Sequence, residues 1–143
     1  MSTKIIEHIH WPNLPDVWMR YAPAIKVTGW TTVYPAGVTA APVYHHYPRR
    51  TEEFDTMSCE MEGQTRAALE NLKCSLAAVG AGCGVVVMPL RARLVGTGRA
   101  QPRGGEYFGD NKATTTTVQV VRLARDPRCL IEINAITVRR QSK

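Results

Sequence analysis

Between Ser58 and Gly80 apolar residues recur at steps of three and four, through Met61, Ala68, Leu69, Leu72, Leu76 and Val79, with Thr65 filling the gap. That spacing predicts an amphipathic helix with one buried face. The opposite face carries Glu62, Arg66, Glu70 and Lys73, spaced for Glu62–Arg66 and Arg66–Glu70 ion pairs in water. Ser58 occupies the expected N-cap, Glu60 and Glu62 fall where the helix dipole favours acids, and Gly80 suits a left-handed closing residue.

Elsewhere the period is two. Ile25 and Val27 alternate with polar residues, Gly29-Trp30 reads as a turn and Thr31 to Tyr34 as a second strand, so a hairpin is predicted. Pro35-Ala36-Gly37 then interrupts the ladder, and a glycine in that setting marks a bulge or a place where another backbone or a ligand approaches closely. After Gly80 to Gly84, Val85 to Met88 is apolar on both faces, as in a central strand. Leu90, Ala92 and Leu94 alternate with Arg91 and Arg93, which predicts continuation past Pro89 with a kink or bulge. Gly98, Pro102, Gly104 and Gly105 oppose a regular second helix, leaving Glu106 to Asp110 to close a short one.

Thr114 to Leu123 reads as a strand, Asp126-Pro127 as a turn and Leu130 to Val138 as a strand returning antiparallel to the first. Alternation places Leu130, Glu132, Asn134, Ile136 and Val138 on one face, with Ile131, Ile133, Ala135 and Thr137 on the other. Glu132 therefore stands among apolar neighbours on a strand expected to be covered. A carboxylate there is costly unless paired, so it is either a hydrogen-bond anchor or an acid/base with a raised pKa.

Residues 1–23, with Pro12, Pro15 and Pro23 among Trp11, Trp18 and Tyr21, predict either an ordered arm laid on the body or on a neighbouring subunit, or a loosely attached N-terminus. Residues 40–56 form a long polar connection holding His45 and His46 beside tyrosines, where an imidazole can carry protons or touch a substrate. His8 and His10 alone are a weak metal signal, and no metal is expected.

The whole chain of 143 residues has the length of one domain. No apolar run approaches the roughly 20 residues that cross a bilayer, and the N-terminus lacks the apolar core of a secretory signal, so a cytoplasmic protein without membrane contact is expected. Cys59, Cys74, Cys83 and Cys129 lack Cys-x-x-Cys spacing and read as reduced, buried structural thiols. The net charge of +6 comes mostly from scattered arginines of the C-terminal half. They are not interleaved with aromatics, which favours a solvated surface over a nucleic-acid platform.

Several segments together resemble the RidA family, also called YjgF/YER057c/UK114: Glu62 to Lys73 with Val79-Gly80, Tyr107-Phe-Gly109, Thr117 to Leu123, and Ile131-Glu-Ile-Asn-Ala-Ile136. The resemblance implies an α+β, chorismate-mutase-like fold in a single domain over residues 1–143, with a mixed β-sheet packed against two helices. It implies a homotrimer with a central barrel of sheets, and ligand clefts between subunits. Active members hydrolyse imines and enamines without a cofactor, an arginine in a Pro-Ala-Arg motif gripping the substrate carboxylate and a glutamate positioning water. Glu132 matches that glutamate. Ala113-Thr114-Thr115 stands where Pro-Ala-Arg is expected, so Thr115 replaces the arginine, and a hydroxyl cannot reproduce a bidentate guanidinium grip. Ala36-Gly37 matches the family's Ser-Gly, and Tyr21 lies close to its pocket tyrosine.

The site expected from these readings is Glu132 as catalytic acid/base, with Thr115, Thr117, Gly37, Ala36, Tyr21 and His45 around a small-molecule substrate. The expected activity is hydrolysis or another transformation of an imine- or enamine-type intermediate. Alternatives are reuse of the fold for a cyclisation or dehydration, ligand binding without turnover and, last, RNA binding or cleavage.

Overall fold

The computed structural model describes residues 6–9, 22–42, 48, 50–94, 96 and 105–139. Seven strands and two helices follow in the order β1 (Ile6–Ile9), β2 (Ala24–Val27), β3 (Thr31–Val33), β4 (Val38–Thr39), α1 (Met61–Ala77), β5 (Val86–Leu94), α2 (Gly105–Phe108), β6 (Thr116–Val120) and β7 (Ile131–Arg139). This is the expected α+β arrangement, a mixed sheet packed against helices. The main sheet runs β3-β7-β5-β6, with β4 also paired to β7. β6 lies parallel to β5, and the other pairs are antiparallel. Within the single chain the sheet is open.

Two pairings differ from expectation. The hairpin of residues 24–34 does not form, because β2 pairs with β1 from the N-terminal arm while β3 pairs with β7. Gly29, at φ 73°, turns the chain between the two sheets. Likewise β7 does not return against β6: β5 lies between them. Both segments had the β-branched composition of strands, but composition carries no partner information. The strand through Pro89 continues as expected, with the register shift between Val86 and Met88 rather than at the proline.

The helix begins at Met61, not Ser58. Glu60 is the N-cap and makes no side-chain cap bond. Ser58 Oγ instead accepts from the Glu60 N–H at 3.1 Å and lies against Gly63, where a Cβ would collide with it. At the other end Gly80 is left-handed at φ 67° as expected. The Ala81 and Gly80 N–H groups return to Leu76 O and Ala77 O, at 2.9 and 3.0 Å, the two bonds of a Schellman closure. Arg139 lies over this end of α1, beside Gly80, where a helix dipole favours a cation.

The apolar stripe of α1 packs Met61, Ala68, Leu69, Leu72 and Leu76 against Val86, Ile131, Ile133 and Ala135 of the sheet. Leu72, Leu76 and Ile133 are fully buried, each side chain contributing roughly 1.5–3 kcal/mol of transfer free energy. Thr65 fills the gap and is itself buried, its hydroxyl donating to Met61 O at 2.7 Å. On the polar face Glu62–Arg66 forms at 3.0 Å, but the second partner of Arg66 is Glu106 at 2.7 Å, from α2, rather than Glu70.

A smaller cluster, Ala41, Phe54, Leu123 and Cys129 with Met57, Ala92 and Val120, covers one end of the opposite sheet face. Arg128 secures it, with its guanidinium 5.6 Å from the Phe54 ring centre and donating to Asp126, Asp55 and Thr51 O. All four cysteines are free, but only Cys83 and Cys129 are buried. Cys59 and Cys74 are exposed because they precede α1 and sit on its outer face, so the expectation of four buried thiols holds for two.

Candidate active site

Glu132 is the second residue of β7. Across the ladder it faces Thr39 on one side and Ala92 on the other, and Ala92 in turn faces Val118. Residues in register share a face, so Thr39, Glu132, Ala92 and Val118 make one row on the side away from α1. The face assignment made from alternation is therefore the one found. Its covering is partial: Val138 is buried and the Phe54 cluster covers one end of that side, while Glu132 is half-buried, Asn134 exposed and Ile136 half-buried, because α1 lies against the other side.

The Glu132 carboxylate rests on Gly37. A Cβ at position 37 would lie 2.6 Å from Glu132 Oε1, closer than real Cβ contacts come, so only glycine leaves the carboxylate in place. A backbone or a ligand was expected to approach this glycine; the group that does so is the protein's own glutamate side chain. Gly37 is held there by β4, which the Asn71 amide ties to α1 through Thr39 O at 2.9 Å and Ala41 O at 3.3 Å. Ala36, next in the chain, is exposed.

Thr115 is exposed and directly precedes β6. Its position is set by Thr114, whose N–H and hydroxyl both donate to Val87 O at 3.0 Å. Thr117 is exposed on β6, in register with Arg91 and hence with Ile133. That places it on the face opposite Glu132, while Thr116 and Val118 share the glutamate's face. The fold brings Glu132 and Gly37 together and leaves Thr117 across the sheet. Tyr21 and His45 lie outside the described residues.

Sequence reasoning passed over Gln64, which is fully buried. Its amide donates to Ser58 O at 2.8 Å and Arg128 O at 2.7 Å, and its oxygen accepts from Leu130 N at 2.8 Å. Three bonds thus clamp the start of β7 to the start of α1, fixing where Glu132 emerges. A signal was present: Gln64 falls three residues after Met61 and four before Ala68, inside the apolar stripe, and a polar group there needs partners.

Among the described residues, no three His, Cys, Asp or Glu side chains gather as a metal site. A groove of about 530 Å³ lies on the helix side between α1 and α2, lined by Glu70, Lys73, Cys83, Glu106 and Tyr107 among others. It does not reach Glu132. Burial pushes the Cys83 thiol up, keeping it protonated and unreactive at neutral pH.

No protein-family model and no curated protein sequence matches this chain. Solved structures do. A protein of unknown function of the Rid family from Yersinia pestis aligns with a TM-score of 0.70 at 21% identity, covering 94% of this chain and 99% of its own. A putative endoribonuclease from Thermotoga maritima gives 0.56 at 24%, covering 85% and 87%. A member of the YjgF/YER057c/UK114 family from Mycobacterium tuberculosis gives 0.53 at 21%, covering 82% and 86%. At these identities the likeness is one of architecture, and it extends over most of each chain: this protein has the fold of the Rid proteins.

Proposed function

We propose that this chain is a divergent member of the Rid family that transforms a small imine- or enamine-type molecule, with Glu132 as the acid/base at a site completed between copies in a homotrimer. The observation that carries the reading is the Glu132 carboxylate seated on the Gly37 backbone. A half-buried carboxylate beside a glycine backbone can hold a water or shuttle a proton. Leu90 and Val118, each 39% exposed, extend the same face as an apolar surface suited to burial against further copies. Because Thr117 lies across the sheet from Glu132, one substrate can meet both only when two copies contribute. Incubation with freshly generated 2-iminopropionate tests the reading: ammonia release above the buffer rate, lost in Glu132→Gln, is the expected result.

Thr115 favours a second reading, in which the fold serves another reaction, such as a cyclisation or dehydration, or binds a ligand without turnover. Its hydroxyl cannot make the two parallel bonds that a guanidinium makes to a carboxylate. Release no faster than buffer, for wild type and variant alike, selects this reading. The name of the Thermotoga maritima structure raises RNA cleavage as a third reading. Affinity for RNA that persists at physiological salt would support it, since scattered arginines give binding that falls steeply with salt.

A further inference from the structure

Among the described residues, the small sheet is edged by β1 and β2, and the main sheet by β6 on one side and by β3 and β4 on the other. A free edge presents unpaired backbone N–H and C=O groups, which proteins blunt with charge, proline or very short strands. β1 carries Glu7 and β2 Lys26, joined as an ion pair, while β3 and β4 are three and two residues long. β6 has none of these defences. It is five residues long, Thr116 to Val120, and the run from Ala113 to Val121 holds neither charge nor proline. Its ladder partner is β5 alone. Residues 116–119 are exposed, and Val121, directly after the strand, is 93% exposed.

An uncharged edge gives a charged peptide no counter-charge to recognise, but it suits a second copy of itself. Turned antiparallel about a two-fold axis at Val118, the strand sets Val118 opposite Val118 of the other copy and Thr116 opposite Val120. β-Branched residues then face one another along one side of the joined sheets, a favourable kind of cross-strand pair. The whole chain carries +6, yet in this register no two cations meet: Arg122 falls opposite Thr114, and Lys112 opposite Ala124. Contacts in which both copies use the same patch about a two-fold axis are the commonest form of self-association.

We propose that the outer edge of β6 is an interaction surface for a second copy of this chain, the two strands pairing antiparallel about Val118. The contact is made by backbone groups, does not depend on the reaction proposed for Glu132, and joins two trimers where the three-fold contact also forms.

The test is sedimentation of the full chain beside a variant with Gln119→Lys and Val121→Lys, both at exposed positions. Lysines blunt an edge, so the two-fold association weakens about tenfold or more, a free-energy loss of about 1.4 kcal/mol, and added sodium chloride restores part of it by screening. Disulfide trapping reads the register, in a background where the exposed Cys59 and Cys74 are replaced by Cys59→Ser and Cys74→Ser. Val118→Cys gives a linked pair on mild oxidation, because directly opposite residues lie about 4.5–5.5 Å apart. Thr116→Cys, on the same side of the strand, gives none, since residue 116 of the two copies is offset by roughly 13 Å along the strands. Should the lysine variant fail to fold, the trapping pair carries the test. Glu132→Gln leaves both measurements unchanged, which separates the contact from the fate of the proposed reaction. A wild-type chain that sediments as a monomer or as a trimer alone, an assembly unchanged by the lysines, or trapping at both cysteine positions or at neither, overturns the proposal.

Discussion

The two faces of β7 are built from alternate residues of one strand, and they do different things. Toward α1, Ile131, Ile133, Ala135 and Thr137 are all buried, and their polar neighbours are satisfied: Thr137 Oγ1 donates to Val85 O at 2.8 Å and Gln64 makes three bonds. Away from α1, Val138 is buried, but Glu132 and Ile136 are only half-buried and Asn134 is exposed. Stability resides on the first face, and the second is free to carry chemistry and contacts with other copies.

Leu72→Ala breaks the closed face most severely. Leu72 is fully buried beneath the sheet, so the change costs about 2–5 kcal/mol, measured by urea unfolding. A loss below 1 kcal/mol would show that the helix face is not where stability resides. Gln64→Leu comes next. It orphans the Leu130 N–H and the carbonyls of Ser58 and Arg128, for an expected loss of about 1–3 kcal/mol, with faster amide exchange at the start of β7 as its local sign.

On the open face the expected effects on chain stability are smaller and those on function larger. Gly37→Ala forces Glu132 Oε1 to move, because the new Cβ would sit 2.6 Å from it. The chain should still fold, with stability lowered by about 1 kcal/mol while turnover falls. Unchanged turnover would mean that the position of Glu132 is not critical. Leu90→Lys with Val118→Lys should shift stability of the single chain by no more than about 0.5 kcal/mol per site, yet abolish assembly in sedimentation experiments. An assembly that survives both changes would place the contact elsewhere.

The smallest effect concerns thiols. Cys59 and Cys74 should react quickly with a disulfide reagent in the native protein, and Cys83 and Cys129 only on unfolding, in line with their exposure. Because burial raises the Cys83 value, the unfolded chain releases that thiol proton first as pH climbs above about 8.5. Stability should therefore decline from that pH upward, and Cys83→Ala should flatten the decline.

Much of this architecture was legible along the chain. The helix stripe of α1, its closure at Gly80, the alternation of β7 and the close approach at Gly37 all depend on residues a few positions apart or on a backbone that admits no side chain. Ser58 shows the limit of such reading, since its hydroxyl suits an N-cap yet bonds Glu60 N outside the helix. The candidate site was legible only as separate residues: Glu132 and Gly37 were both singled out, but nothing local said that one rests on the other.

Local periodicity determined the elements and which side chains share a face, because both follow from the geometry of a helix or strand within a few residues. Partner choice belonged to the tertiary structure. That β1 takes β2, that β5 enters between β6 and β7, and that Arg91 and Thr117 lie across the sheet from Glu132 are outcomes of burying one apolar face beneath one helix. Many pairings satisfy the same alternation, and only the packed chain selects among them.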